Sequence, residues 1–141
     1  MKKLTKLFAF MLVLVSMMTM FACQNPTTDN GDREPSDADV IMTVSAAEFD
    51  LEGKTLKDYM DHLVGKGELT YTLADGMITE INGTKNGLNS YWMLYTDDTE
   101  NSNTAWGTYE VGGKTYASAA VGATELALKD GCTYIFTYQT F

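Results

Sequence analysis

Apolar and polar residues alternate along this chain with two distinct periods. In "DVIMTVSAAEFD", Val40, Met42 and Val44 fall on one face of an alternating run, which reads as a strand. The period then changes. In "GKTLKDYMDHLVGKG", Leu56, Tyr59, Met60, Leu63 and Val64 recur at i, i+3, i+4, i+7 and i+8, one stripe of a short helix. Thr55 can cap that helix, with Asp58 in the capping-box position. Gly65 or Gly67 can end it in a left-handed conformation.

Beyond the helix the period returns to two. "ELTYTLADGMITEINGT" predicts a strand at Thr70–Leu73, a turn at Asp75-Gly76, a strand resuming at Met77, Ile78 and Ile81, and a second turn at Asn82-Gly83. "SYWMLYTDD" predicts an aromatic strand with Tyr91, Met93 and Tyr95 on one face and Trp92 and Leu94 on the other. "TDDTENSNTAWG" reads as a polar loop, and Gly112-Gly113 as a hairpin turn. After an apolar piece in "TELAL" and a turn at Asp130-Gly131, the last strand sets Tyr134, Phe136 and Tyr138 on one side. One early helix among many short strands predicts an α+β fold, a small sheet packed on one short helix.

The first residues follow another rule. "MKKLTKLFAFMLVLVSMMTMFAC" begins with Lys2, Lys3 and Lys6, continues with an apolar run from Leu7 to Val15, and places Ala22 before Cys23. That is the layout of a secretory signal. The run is short of the ~20 apolar residues a membrane span needs. The border "MFAC" resembles a bacterial lipobox, in which the cysteine is lipidated and becomes the new N-terminus. Met20 and Ala22 suit that motif, and Phe21 departs from it. Two readings stand, a lipidated Cys23 and an ordinary signal with an incidental cysteine. The polar stretch after Cys23 favours the first: "QNPTTDNGDREPSDAD" has almost nothing to bury, so it reads as a disordered tether. The expected organisation is a lipoprotein signal at 1–22, the lipidated Cys23 and tether at 23–38, and a folded domain at 39–141. The expected location is extracytoplasmic, anchored to a bacterial cell membrane through Cys23.

Charge narrows the partners. All nineteen acidic residues follow the signal, whereas only seven of the ten basic ones do, so the mature chain carries −12. No basic footprint for nucleic acid is present, and an anionic membrane surface would repel the domain. With Cys23 acylated, Cys132 has no intramolecular partner and reads as a small core hydrophobe rather than a reactive thiol.

For catalysis the residues offer no constellation. His62 is the sole histidine and lies off the helical stripe; no G-x-S-x-G, H-E-x-x-H or phosphate loop occurs. The chain is therefore read as not an enzyme, with no required cofactor and no metal site. Asp97, Asp98, Glu100, Asn101 and Asn103 supply oxygens suited to calcium, but not at EF-hand spacing, and a solvated loop is the plainer reading. Aromatics carry more. Tyr91, Trp92, Tyr95, Trp106, Tyr109 and Tyr116 lie close together in the chain. One face of a strand must enter the core; the other, with Trp106, could form a ligand platform. Tyr91, Trp92, Tyr95, Trp106 and Tyr109 are the candidate ligand-binding residues, and core and edge packing is the alternative for each.

Three segments in order carry a resemblance: "GMITEINGT" (76–84), "YWMLYTDD" (91–98) and "LALKDGCTYIFTYQ" (126–139). They resemble the transcobalamin-like C-terminal domain family, with its I-x-x-I-N-G turn, its W-x-x-Y-x-x-N-G strand and its closing L-x-D-G-D-x-I-x-F-x-Y. The helix "TLKDYMDHL" also stands where that family has one. Asp97-Asp98 replaces the usual Asn-Gly, and Cys132 replaces the second Asp of the closing motif. The resemblance implies a β-grasp-like fold and a domain that closes over one face of cobalamin. The expected function is thus a lipid-anchored protein that captures a small ligand, cobalamin or another corrinoid first. The alternative is an adaptor or adhesion module that binds another surface protein through its sheet edge.

Overall fold

The computed structural model describes residues 38–141. Cys23, the expected signal peptide and the expected tether up to residue 37 lie outside the described residues.

The chain forms strand β1 (Val40–Thr43), helix α1 (Leu56–Gly65) and strands β2 (Tyr71–Ala74), β3 (Met77–Ile81), β4 (Thr84–Lys85), β5 (Ser90–Thr96), β6 (Ser102–Val111), β7 (Lys114–Ala119) and β8 (Thr133–Thr140). The described residues form an α+β fold, with antiparallel strands and one short helix. The expectation of one small sheet is corrected: the described residues form two. Five strands run in the order β1-β8-β5-β7-β6, and β2-β3-β4 form a separate sheet. The cause is local. Asp75 and Gly76 have φ of 52° and 79°, Asn82 and Gly83 have 48° and 84°. Positive φ at both central residues makes tight hairpins, which join β2 to β3 and β3 to β4.

Helix α1 starts and stops as its residues dictate. The Asp58 carboxylate accepts from the Thr55 N–H at 2.9 Å and from the Thr55 hydroxyl at 3.2 Å. At the other end Glu68 N–H donates to Leu63 C=O and Gly67 N–H to Val64 C=O, both at 3.0 Å. Gly67, at φ +75°, supplies the left-handed residue this Schellman closure requires, while Gly65 is still helical. Leu56 and Met60 are fully buried, and Tyr59 and Leu63 are half-buried against the same core. Val64 is an exception to the predicted stripe, at 41 % exposed. At ~100° per residue it lies about 80° round from Leu56, on the margin of the buried arc.

The helix packs over one face of the large sheet, with the small sheet closing the side. This core joins Met42, Val44, Leu56, Met60, Ile78, Ile81, Trp92, Leu126, Tyr134 and Phe136. Period two in β8 explains the aromatic share, since Tyr134, Phe136 and the half-buried Tyr138 point the same way. The other face is not left open. Tyr95, Tyr109, Val111, Tyr116 and Ile135 make a second cluster on it, with Met93 packed against them. The β6–β7 hairpin, turned by Gly112 and Gly113 at φ 59° and 72°, supplies three of those five.

Candidate functional site

The polar loop expected over 96–107 is shorter than its composition suggests. β6 begins at Ser102 and runs to Val111. It pairs with β7 at Asn103↔Ser118 and again at Thr108↔Ala117, so residues 104–107 are lifted out between two adjacent pairs. Gly107 sits in this bulge at φ +129°, a region that only glycine adopts without strain. A bulge of this kind bends its strand and adds twist. The result is a β6 that curls back over the second face of its own sheet.

Three of the five candidate ligand-binding residues are committed to packing, Tyr95 and Tyr109 under the curl of β6 and Trp92 in the other core. Tyr95 and Tyr109 stack at 5.5 Å between centroids and are both buried. Tyr109 Oη donates to Asp39 Oδ2 at 2.6 Å, and Tyr95 Oη to Gln139 Oε1 at 3.5 Å. Trp92 lies in the other core, 5.3 Å from the Tyr138 ring, and its indole N–H donates to Thr84 C=O at 2.8 Å. Trp92 and Tyr95 therefore face opposite sides of the sheet and cannot share one platform. Tyr91 is 41 % exposed, bonded to Leu88 C=O and tilted against Phe141. Trp106, in the bulge, is 62 % exposed.

Beside the bulge lies an open groove of about 550 Å³, lined by Thr108, Tyr109, Glu110, Thr137, Tyr138, Gln139 and Thr140. Its floor is the outer side of β8 and its wall the end of β6. A second hollow, of about 480 Å³, flanks the other side of the bulge between Thr96–Thr104 and Lys114–Ala117. Trp106 itself lines neither hollow; its chain neighbours Thr108 and Thr104 line one each. The hydroxyl and amide groups of Thr108, Thr137, Gln139 and Thr140 are donors and acceptors for a polar ligand. These residues escaped the pattern reading, although "TYIFTYQT" shows the signal. Thr137 and Gln139 interrupt an aromatic strand on the face opposite Tyr134, Phe136 and Tyr138.

The acidic loop is closed on itself. Asp98 is buried and accepts from Asn101 Nδ2 at 2.6 Å, Glu100 N–H at 3.0 Å and Lys129 Nζ at 3.1 Å. Lys129 also pairs with Glu100. Asp97 accepts from Thr133 N–H at 2.8 Å and pairs with Lys114. Burial pushes both carboxyls up, but the hydrogen bonds and lysine charges outweigh it and hold both below the usual carboxylate range. Among the described residues no group of three or more His, Cys, Asp or Glu is arranged to hold a metal ion. The expectation of a solvated loop is corrected for Asp97 and Asp98, whose carboxylates are structural.

Cys132 is free, half-buried and packed against the main core. Burial first, then the charge of Asp97, pushes its thiol upward, which disfavours the reactive thiolate. His62 lies on the exposed side of α1, 5.0 Å from the Phe49 ring and 6.1 Å from Tyr59. Neither is arranged for nucleophilic chemistry: among the described residues no hydrogen bond joins His62 to a Ser, Thr or Cys. Nor does any helix of the described residues have the length and apolar character to cross a membrane. No family model, no curated protein and no solved structure matches this chain.

Proposed function

We propose that this chain is a lipid-anchored, non-enzymatic binding protein, held outside a bacterial cell membrane through Cys23, whose β-grasp-like domain captures a small ligand in the groove between β6 and β8. The observation that carries the reading is the bulge at 104–107. A ten-residue strand breaks its own ladder there and leaves a tryptophan 62 % exposed, two residues before Thr108, which lines a groove of about 550 Å³. Lifting a Trp away from packing costs the domain apolar burial of ~1.5–3 kcal/mol. A ligand that covers the ring recovers it. The threonines and Gln139 would meet the ligand's polar rim, and Trp106 its flat or apolar face. The β-grasp description rests on a helix laid across one face of a sheet whose first and last strands, β1 and β8, are neighbours.

The resemblance of three segments to the transcobalamin-like family makes cobalamin, or another corrinoid, the first ligand to test. Calorimetric titration of the full chain in detergent with cobalamin and with cobinamide checks it. Saturable binding supports corrinoid capture. A flat titration with both removes the corrinoid and returns the groove to a blind screen of polar ligands. Detergent-phase partitioning of wild type and Cys23→Ala tests the anchor, and an unmodified, water-soluble wild type would contradict it.

A further inference from the structure

The large sheet has two edges, and they are built differently. β6 is broken by its bulge and carries Glu110. β1, "VIMT", has no Lys, Pro or bulge, the devices that usually protect a free edge. Its ladder to β8 is regular over Val40↔Phe136 to Thr43↔Thr133, and Val44 N–H continues it to Cys132 C=O at 3.0 Å. In an antiparallel pair, residues alternate between bonding their partner and facing away. Since Val44 bonds β8, so do Met42 and Val40. The N–H and C=O of Ile41 and Thr43 therefore point to the open side.

That side opens into a groove of about 430 Å³, lined by β1, by Tyr59 and Leu63 of α1, and by Glu68, Leu69 and Asn82. It shares no lining residue with the groove beside β6. No lysine or arginine lines it. Among the described residues fifteen acids face six lysines, and five of those lysines (57, 66, 85, 114 and 129) are already in ion pairs. Lys66, the partner of the groove-lining Glu68, also feels the charge of Glu48.

We infer that β1 is a docking edge for an extended, lysine- or arginine-bearing segment of another protein, which adds a strand beside Ile41 and Thr43 and lays alternate side chains against Tyr59, Leu63 and Leu69. Main-chain bonds supply the affinity and the groove selects the side chains. Charge decides among occupants. A second copy would bring its own excess of acids, and the preceding residues 23–37 hold four acids against one arginine, so both are repelled where a basic strand is attracted.

The probe is the peptide Ac-KVKVKVK-NH2, labelled for anisotropy and titrated into the full chain in a neutral detergent. Two controls keep its composition, a scrambled sequence and a version N-methylated at alternate residues. A Glu-for-Lys version reverses its charge. Expected are saturable binding by the parent, at least tenfold weaker binding by the N-methylated and Glu versions, and slowed amide exchange confined to Ile41 and Thr43. Ile41→Pro should abolish binding while the fold holds, because proline is tolerated where the N–H faces off the sheet. Glu68→Lys, at an exposed position, should weaken binding at least fivefold and covers the case where Ile41→Pro fails to fold. Equal affinity for the N-methylated peptide, or binding without protection of Ile41 and Thr43, would overturn the proposal. So would self-association that protects the same two amides, which would assign the edge to a second copy.

Discussion

Tyr109 and Asp39 join the two ends of the large sheet: the phenol of an edge strand, β6, donates at 2.6 Å to the carboxylate just before the opposite edge strand, β1. A flat sheet of five strands would hold those edges far apart at ~4.8 Å per step. The bond exists because the bulge at 104–107 curls β6 over the face where Tyr95, Tyr116 and Ile135 lie. Tyr109→Phe keeps the ring stacked on Tyr95 and removes the bond. The expected loss is about 1.5–3 kcal/mol, the range for hydrogen bonds to charged groups. Hydrogen exchange should quicken most in the β6–β7 hairpin. An unchanged denaturation midpoint with unchanged exchange would show that the curl does not depend on this contact.

The helix makes a contrast across about two turns. Leu56 is fully buried and Val64 is 41 % exposed. Leu56→Ala should cost about 2–5 kcal/mol, because it leaves a cavity under the sheet, whereas Val64→Ala should stay within about 0.5 kcal/mol. Chemical denaturation of both variants decides it, and similar losses would mean that the helix is rotated from the orientation described.

Acid should loosen the domain through Asp97 and Asp98. Both carboxyls are held below their ordinary values in the fold, despite burial, by Lys114, Lys129, Asn101 and the N–H groups of Thr133 and Glu100. In the unfolded chain they titrate near ~3.9. As pH falls below about 4 the unfolded chain takes up protons first, so this stabilisation is complete above that pH and drains away as pH descends through the folded values. Melting temperature against pH should therefore drop more steeply below pH 4 in wild type than in Asp97→Asn or Asp98→Asn. Parallel curves would remove these two groups from the acid response.

Much of the fold is legible where one local rule decides alone. The period-3.6 stripe with Thr55, Asp58 and Gly67 marks α1 to within a residue, and each hairpin turn carries its own dipeptide, from Asp75-Gly76 to Gly112-Gly113. What is hidden depends on contacts distant in sequence. Alternation in "YWMLY" says that Trp92 and Tyr95 face opposite ways, and this holds. It does not say that a later hairpin covers the second face, which turns Tyr95 and Tyr109 from candidate binders into core. Polarity in "TDDTENSNTAWG" suggests loop throughout, yet Ser102 and Asn103 are paired by β7, and within β6 only 104–107 stand free of the ladder. Asp97 and Asp98 look solvated until Lys114, Lys129 and Thr133 arrive from downstream. The groove could be anticipated only in part, from Thr137 and Gln139 set among aromatics.

The most direct measurement is a paired one on Trp106→Ala, a melt and a titration with the ligand that saturates wild type, cobalamin first. Trp106 is exposed and belongs to neither core cluster, so the melting temperature should move little. As a platform for a flat ligand its ring should contribute about 1–3 kcal/mol, the scale of stacking on nucleic-acid bases, a weakening of roughly 5- to 150-fold. Full-strength binding by a folded Trp106→Ala would contradict the groove account, and a large fall in melting temperature would instead make Trp106 part of the packing.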